Sequence, residues 1–442
     1  MISLFRFAAF LICGAVALAA TDPQRPNIVF IISDDHAWTD YGFMGHPQIE
    51  TPNLDRLAAR SATFTRGYVP TALCRPALAT FATGLYAHQH RISGNDPSFL
   101  PSMLNPDSGK KAKAKTKGEG GNAEPAEYRA LREKLISQID RIPTVPRLLA
   151  AQGYLSHQSG KWWEGGYARG GFTHGMTRGF PQPGGRHGDD GLKIGREGMQ
   201  PIFDFIDHAV KEQKPFFIWY APFLPHTPHT PPDRLLAKYK AKGITSEYVA
   251  KYYAMVEWFD ETCGQLLDRL EAKGLTRNTL VVYVGDNGWI QSENAPGYAP
   301  RSKQSANEGG VRQPTLFSWP GVIQPGKRGE QLCSSVDIVP TALAAAGVKA
   351  PANLPGYDLL PILKSGRPTP RDTVFGETFA HDIPNLEKPE ASLVYRWVIE
   401  GKWKLLLTYD GEVSARYASS NPRTEKRPQL FDLIADPHEN RN

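Results

Sequence analysis

Two apolar runs that lie far apart in the chain each end in oxygen-bearing side chains. Asn27–Ser33 is rich in Ile, Val and Phe, and Thr279–Gly285 is a second short run dominated by Val. Such runs without polar alternation are typical of strands buried on both faces of a parallel sheet. The carboxyl ends of these strands form the edge at which α/β sheets bind ligands. The side chains that we expect to meet there are Asp34, Asp35, Asp286 and Asn287.

Strands alternate with helices through about residue 360. Thr51 is suited to cap a helix that starts at Pro52, and residues 248–273 carry a strong helical apolar period. This alternation predicts a large, mostly parallel central sheet flanked by helices. The other predicted elements are a helix over 144–152, strands over 154–159 and 215–221, and a long glycine-rich surface loop over 165–195.

The pattern becomes dense in strands after residue 365 and predicts a small C-terminal antiparallel sheet. Its predicted strands cover residues 392–400, 403–409 and 428–433. We therefore expect a catalytic domain over residues 21–365 and a small C-terminal α+β subdomain over residues 366–442. Residues 105–124 are rich in lysine and glycine without an apolar period, which predicts a flexible insertion in the first domain.

The first twenty residues have the features of a secretory signal peptide. Arg6 precedes an apolar stretch over residues 7–18, and small residues follow at 19 and 20. The stretch is short for a membrane span. The sequence thus predicts a cleaved signal over residues 1–20, a periplasmic or secreted protein, and no membrane span after cleavage.

Charge and composition exclude few functions. The net charge of +6 is small for 442 residues, and a diffuse excess of this size does not indicate nucleic-acid binding. Three carboxylates and an amide oxygen at one sheet edge are a better ligand set for Ca²⁺ than for zinc. Single aspartates after strands also serve as helix caps or turn residues, but the two strand ends together predict a metal site.

Cysteine usage singles out one thiol. Removal of the signal leaves Cys74, Cys263 and Cys333, and an odd number in an exported protein implies one pair and one special cysteine. Cys263 and Cys333 are the candidate pair. Cys74 lies at the N-terminal edge of a predicted short helix that ends before Gly84, where the helix dipole lowers the pKa of a thiol.

The order and spacing of these motifs resemble the sulfatases of the alkaline-phosphatase superfamily, over nearly all of the mature chain. The matching motifs are Asp34-Asp35, Cys74-Arg75-Pro76 with Thr83-Gly84, Gly160-Lys161-Trp162, Pro225-His226-Thr227-Pro228, Gly285-Asp286-Asn287-Gly288, Lys303, Glu308-Gly309-Gly310-Val311-Arg312, Leu430-Phe431-Asp432-Leu433 and Asp436-Pro437. The resemblance implies an alkaline-phosphatase-like α/β sandwich with a small C-terminal antiparallel-sheet domain, and hydrolysis of sulfate esters.

The resemblance also implies the catalytic machinery. A maturation enzyme would oxidise Cys74 to formylglycine, whose hydrated aldehyde attacks sulfur with one hydroxyl and expels sulfate when the other loses its proton. One Ca²⁺ would be bound by the modified Cys74 and by the four strand-end residues, Asp34, Asp35, Asp286 and Asn287. Lys161, His226 and Lys303 would bind the sulfate, and His226 and Lys303 would protonate the leaving oxygen.

The chain departs from the family pattern at two positions. Leu78 stands where the family has an arginine that steadies the formylglycine, and Trp163 stands where it commonly has a histidine. Arg75 is a poor replacement because residue i+1 lies about 100° from i on a helix. Histidines that offer substitute contacts are His88, His90, His174 and His187.

The substrate is expected to be a sulfated small molecule or glycan, with a carbohydrate favoured by nearby aromatic residues. Those that would line a sugar cleft, or else pack in the core, are Trp162, Trp163, Tyr167, Phe223 and Trp289. Two alternatives stay open at this point: a phosphoester or phosphonate hydrolase on the same scaffold, and a sulfated-glycan receptor without turnover. A phosphate-transferring mutase is disfavoured, because it would need two metals and the sequence shows no second cluster of His and Asp ligands.

Overall fold

The computed structural model describes residues 25–98, 125–179, 185–409 and 427–442. The predicted signal peptide and the predicted insertion lie outside these ranges, so both stay predictions. Among the described residues, none of the helices combines the length and the apolar content that crossing a membrane requires.

The strands of the described chain are numbered in sequence order. They are β1 Asn27–Ser33, β2 Ala62–Phe64, β3 Arg66–Tyr68, β4 Asp96–Pro97, β5 Leu155–Gly160, β6 His174–Gly175, β7 Phe216–Ala221, β8 Thr279–Gly285, β9 Thr315–Ser318, β10 Gly326–Lys327, β11 Leu332–Ser334, β12 Thr373–Phe379, β13 Asp382–Ile383, β14 Leu393–Glu400, β15 Trp403–Thr408 and β16 Gln429–Asp432. Both strands on which the metal site was predicted are present with the expected bounds.

The α-helices are numbered in the same way. They are α1 Pro52–Ala59, α2 Cys74–Thr83, α3 Ala87–His90, α4 Ala126–Ile136, α5 Val145–Ala150, α6 Gln200–Lys211, α7 Asp233–Ala241, α8 Glu247–Ala272, α9 Glu308–Val311, α10 Ile338–Ala345 and α11 Leu360–Ser365. Helix α1 begins at the predicted proline, and α8 lies within one residue of its predicted bounds.

Eight of these strands form one sheet in the order β10-β2-β9-β8-β1-β7-β5-β6. Strand β9 runs antiparallel to both of its neighbours, and the other pairs are parallel. The large, mostly parallel sheet predicted from the sequence is therefore confirmed. Residues 165–195 were predicted as a loop, but two of them form strand β6. This short strand lies at one edge of the sheet.

The central strand β1 is buried on both faces, as its uninterrupted apolar pattern predicted. Ile28, Phe30 and Ile32 belong to one core cluster, together with residues of α2, α5 and α10. Val29 and Ile31 belong to a second cluster on the opposite face, with residues of α1, α6 and α8. Alternate side chains of a strand point to opposite faces, so the sheet separates two helical layers.

A second, antiparallel sheet of the described chain lies near its C-terminus, in the order β12-β14-β15-β16. Its residues Trp397 and Ile399 pack into the same cluster as α2, which joins this sheet to the central layer structure. The small antiparallel domain is confirmed, although β12 escaped prediction because Gly376 and Glu377 interrupt its apolar pattern.

The structure settles the open question of the candidate pair, because Cys263 and Cys333 do not form a disulfide. Both thiols are free and buried, and they belong to the two core clusters that the central sheet separates. A disulfide needs Cα atoms within about 7 Å, and side chains held on opposite faces of a sheet do not meet that requirement.

Candidate active site

Parallel pairing brings the two predicted acidic strand ends together. Strands β1 and β8 pair over their whole length, with Ser33 opposite Gly285. Asp286 donates its backbone N–H to the Ser33 carbonyl at 2.9 Å. Asp35 then turns with a φ of 62° and donates its N–H to Asp286 Oδ1 at 3.0 Å. The sequence prediction that these side chains meet at one sheet edge agrees with this geometry.

Three oxygens at this edge lack a hydrogen-bond partner among the described residues although they are buried. They are Asp34 Oδ2, Asp286 Oδ2 and Asn287 Oδ1. Leaving buried carboxylate and amide oxygens unpaired is costly, and burial raises the pKa of both Asp34 and Asp286. A hard divalent cation would satisfy these oxygens. The residues present therefore fit the Ca²⁺ that the resemblance implies.

Asp35 is held by polar contacts with its neighbours. Its Oδ1 accepts a hydrogen bond from Asn287 Nδ2 at 2.7 Å. The Asn287 amide therefore presents its nitrogen to Asp35 and leaves its oxygen, Oδ1, without a partner among the described residues. Its Oδ2 accepts from Lys303 Nζ at 2.7 Å and lies 3.3 Å from Nε2 of His226. Asp35 thus links the residues that would hold the metal to two of the predicted sulfate-binding groups.

Lys161 approaches the same edge from the end of β5. Gly160 has a φ of 82°, and a Cβ atom there would lie 1.8 Å from the Ala221 carbonyl oxygen. Glycine is therefore required where the chain leaves the sheet. This turn directs Lys161 so that its Nζ donates to Asp34 Oδ1 at 2.8 Å.

Cys74 is the first residue of α2 and lies next to the acidic edge. Its Sγ is 3.8 Å from Asp34 Oδ1, and the side chain is buried. Together with Asp34, Asp35 and His226, it offers ligand atoms that all lie within 4.8 Å of one another. The predicted depression of its pKa is wrong: burial raises the pKa of the thiol, and Lys161 offsets only part of this effect.

Burial opposes every charge at this site, and neighbouring groups decide which charges persist. For Lys161, burial lowers the pKa of the ammonium, but the Asp34 carboxylate and the other acidic groups around it together outweigh burial and raise that pKa. For Lys303, burial likewise lowers the pKa, and Asp35 together with the other acidic groups of the site outweighs burial and raises it. Burial and these two lysines lower the pKa of His226 well below its usual range. At neutral pH, both lysines are charged and His226 is neutral.

The first departure from the family pattern, at residue 78, lies within α2. The Leu78 side chain is apolar and buried in the core cluster. This position therefore offers the site no polar group. Arg75 points elsewhere: its guanidinium forms two hydrogen bonds of 2.7 Å with the Glu164 carboxylate and donates to the Asn95 carbonyl. This buried pair joins α2 to the loop after Lys161. Neither Glu164 nor Asn95 was predicted, because nothing in their local pattern indicates a partner.

Of the four candidate histidines, His187 lies by the site. His88 is exposed and pairs with a glutamate, His90 is buried beside Thr80 of α2, and His174 packs against α6. The His187 ring lies 4.9 Å from Trp163. Burial and Lys161 lower its pKa well below the usual range.

The predicted aromatic cleft divides into core residues and residues at the site. Trp162 packs edge-on against two core rings, and Tyr167 packs against the same cluster. Phe223 stacks on the His226 ring with centroids 4.4 Å apart. The centroid of the Trp289 ring lies 5.7 Å from Lys303 Nζ. Two aromatic rings therefore flank the cationic groups.

A polar cluster that the sequence did not reveal lies beside Trp163. Arg186 forms a bidentate ion pair with Asp96. The Cζ atom of its guanidinium lies 4.7 Å from the centroid of the Trp163 ring. His381 and Asp382 lie close to Asp96 and come from the C-terminal part of the chain. Because residues 96, 186 and 381 are far apart in sequence, local patterns could not bring them together.

Two family models together match residues 26–442. The sulfatase model matches residues 26–348, and the model described as N-sulphoglucosamine sulphohydrolase, C-terminal, matches residues 302–442. Both matches include Lys303.

Individual sulfatases match over most of their length. Arylsulfatase A of Homo sapiens is 30% identical over 98% of this chain and 86% of that protein. N-acetylgalactosamine-6-sulfatase of Canis lupus familiaris is 29% identical over 82% of this chain and 70% of that protein. A solved sulfatase structure from Pseudoalteromonas sp. has a TM-score of 0.66 at 21% identity and covers 95% of this chain and 86% of that chain, which supports the fold.

Replacing Glu164 should show that the buried ion pair fixes α2. We expect Glu164→Gln to lower the free energy of unfolding by about 3–5 kcal/mol, because it leaves the Arg75 guanidinium buried without a counter-charge. Urea unfolding measures this change.

Glu133→Gln is the matched control, because Glu133 pairs with an arginine at the surface. It should change the free energy of unfolding by less than about 0.5 kcal/mol. Equal effects of the two substitutions would contradict a structural role for the buried pair.

Proposed function

The chain belongs to the sulfatase family and is a sulfuric ester hydrolase, and we propose a specific form of this activity. The protein is an exported, calcium-dependent sulfatase that acts on a sulfated carbohydrate through formylglycine made from Cys74. The observation that carries the proposal is the set of unpaired buried oxygens of Asp34, Asp286 and Asn287 beside that cysteine.

The two absent groups have separate tasks in this proposal. Formylglycine in its hydrated form would supply the attacking hydroxyl. Ca²⁺ would supply positive charge for the sulfate oxygens and acidify that hydroxyl. Asp34, Asp35, Asp286 and Asn287 would hold the ion with residue 74. A formylglycine-generating or equivalent enzyme would have to act on the chain before it folds, since Cys74 is 1% exposed in the folded structure.

The cationic groups of the chain bind and orient the sulfate ester. Lys161 and Lys303 keep their charges at neutral pH, as their neighbouring carboxylates dictate, and so both attract a sulfate. Nζ of Lys303 lies 3.5 Å from Nε2 of His226. Because His226 is neutral, the proton for the leaving oxygen would come from the Lys303 ammonium, either directly or through the neighbouring His226 imidazole.

A carbohydrate substrate is supported by the surroundings of the sulfate-binding groups. One curated relative is named for a sulfated amino sugar. Beyond Trp163, the partly exposed Arg186 and the Asp96 carboxylate offer donors and acceptors that suit sugar hydroxyls. The predicted signal peptide over residues 1–20 supports export to the periplasm or the medium, where sulfated glycans occur.

Asp286→Ala tests the proposed metal site. We expect this variant to lose Ca²⁺ binding in calorimetric titration. The rate of aryl sulfate hydrolysis should fall at least about a thousandfold, because a bound metal contributes several kcal/mol to the stability of the transition state. Release of phosphate from the corresponding aryl phosphate should stay far slower than release of sulfate in the wild type.

Asp268→Ala is the control for that experiment, since Asp268 forms an exposed ion pair with Arg56. It should bind Ca²⁺ and hydrolyse sulfate esters as the wild type does. Persistent activity of Asp286→Ala would refute the ligand assignment. Preferential release of phosphate would favour a phosphoester hydrolase, and retention of sulfated glycan without turnover would favour a receptor.

Arg186→Ala tests the carbohydrate proposal. We expect kcat/KM for N-acetylgalactosamine 6-sulfate to fall about tenfold or more, since hydrogen bonds to a charged group contribute about 1.5–3 kcal/mol. Hydrolysis of a small aryl sulfate should change less than about twofold. Arg178→Ala, which removes a guanidinium that pairs with Asp190 and not with Asp96, should affect neither substrate. Equal losses on both substrates would exclude a role in sugar recognition.

A further inference from the structure

The C-terminal segment of the chain reaches back to the loop that carries Lys303. Glu439 is buried, and its backbone oxygen accepts a hydrogen bond from Arg301 Nη1 at 2.6 Å. Its Oε2 accepts from the backbone N–H of Glu308 at 2.8 Å. Its Oε1 lies 2.9 Å from Nζ of Lys404. Glu439 therefore contacts the chain on both sides of Lys303.

The backbone around Lys303 needs such external support. Arg301 has a φ of 60° and Gln304 a φ of 62°, in the left-handed region that residues with a Cβ rarely adopt. Conformations of this kind persist where surrounding contacts fix them, and they are concentrated at functional sites. Gln304 is also tied to the chain before α2, because its N–H donates to the Ala72 carbonyl at 2.9 Å.

A buried charge cluster holds the other end of the connection. Lys404 of β15 is fully buried and donates from Nζ to Glu308 Oε1 at 3.1 Å. Glu308 Oε2 accepts from the hydroxyl of Tyr68 at 3.0 Å. Lys404 lies between the carboxylates of Glu308 and Glu439, so a single ammonium joins the C-terminal sheet, the C-terminal segment and helix α9. Buried charges of this kind are stable only in a precise arrangement.

We propose that Glu439 is a positioning residue that sets the location of the Lys303 ammonium. The contacts run from Glu439 through Arg301 and Glu308 to the loop, and from there to the Lys303 Nζ beside Asp35. This gives a task to the C-terminal motif around Asp436, which the catalytic groups leave unexplained. The inference rests on the proposed function, in which Lys303 binds the sulfate ester.

A double-mutant cycle tests the proposal. Glu439→Gln keeps the size of the side chain but removes its charge. We expect it to lower kcat/KM for an aryl sulfate about ten- to a hundredfold, since a displacement of about 1 Å at a reacting group has effects of this order. In a Lys303→Ala background, the same substitution should change kcat/KM less than about twofold, because its effect passes through Lys303.

The dissociation constant of inorganic sulfate, measured by calorimetry on the same four proteins, should follow the same pattern without any turnover. This readout separates the two proposals. If the wild type binds sulfate but does not hydrolyse the ester, the proposed function fails and the binding cycle still decides the role of Glu439. If the wild type neither binds nor hydrolyses, Lys303 has no substrate to position and both proposals fail.

Two further variants distinguish an effect that passes through Lys303 from a general loss of structure. Arg301→Ala removes an exposed side chain that donates to the Glu439 carbonyl, and it should give a smaller decrease of the same kind that also vanishes in the Lys303→Ala background. Lys402→Ala removes an exposed ammonium that pairs with Asp432 in the same part of the chain and should leave activity unchanged. Equal losses from Glu439→Gln with and without Lys303, or no loss at all, would overturn the proposal.

Discussion

The parallel pairing of β1 with β8 is the constraint on which the rest of the site depends. Because the two strands pair in register from Asn27 to Ser33, the polar residues that follow them emerge at the same level of the sheet. A change of register by one residue would turn each acidic side chain towards the opposite face. Both strands are buried on both faces, so the hydrophobic core that stabilises the fold also sets the distances within the catalytic centre.

Charge balance explains how such a polar centre can exist inside a hydrophobic core. Asp34 and Asp35 each contact a buried lysine, Lys161 and Lys303 respectively, so neither carboxylate is without a counter-charge. The lysines come from separate loops, each fixed by backbone contacts of its own. The site keeps two positive groups for an anionic substrate and three oxygens for a cation. Leu78 adds no charge to the site, and the Arg75 guanidinium is already neutralised by Glu164.

The sequence was sufficient for features that local patterns encode. The runs before Asp34 and Asp286 identified the two central strands, and the chemistry of the residues after them predicted a metal site that their positions in the structure fit. The cysteine count left the pairing of Cys263 with Cys333 open, because a count says nothing about which face of a sheet each cysteine occupies. The contacts of Glu164, Asp96 and Glu439 were missed for a related reason. Their partners lie 89, 90 and 131 residues away in the chain. The role of each residue depends on that distant partner, which a local sequence pattern does not reveal.

The central claim is that residue 74 becomes an aldehyde beside a calcium ion held at the joined strand ends. Peptide mass spectrometry across Cys74, on protein purified from its native host, tests this claim most directly. The account predicts a peptide with the mass of formylglycine in place of cysteine, despite Leu78 at the position of the family arginine. An intact thiol in that peptide, in protein that still hydrolyses sulfate esters, would contradict the account.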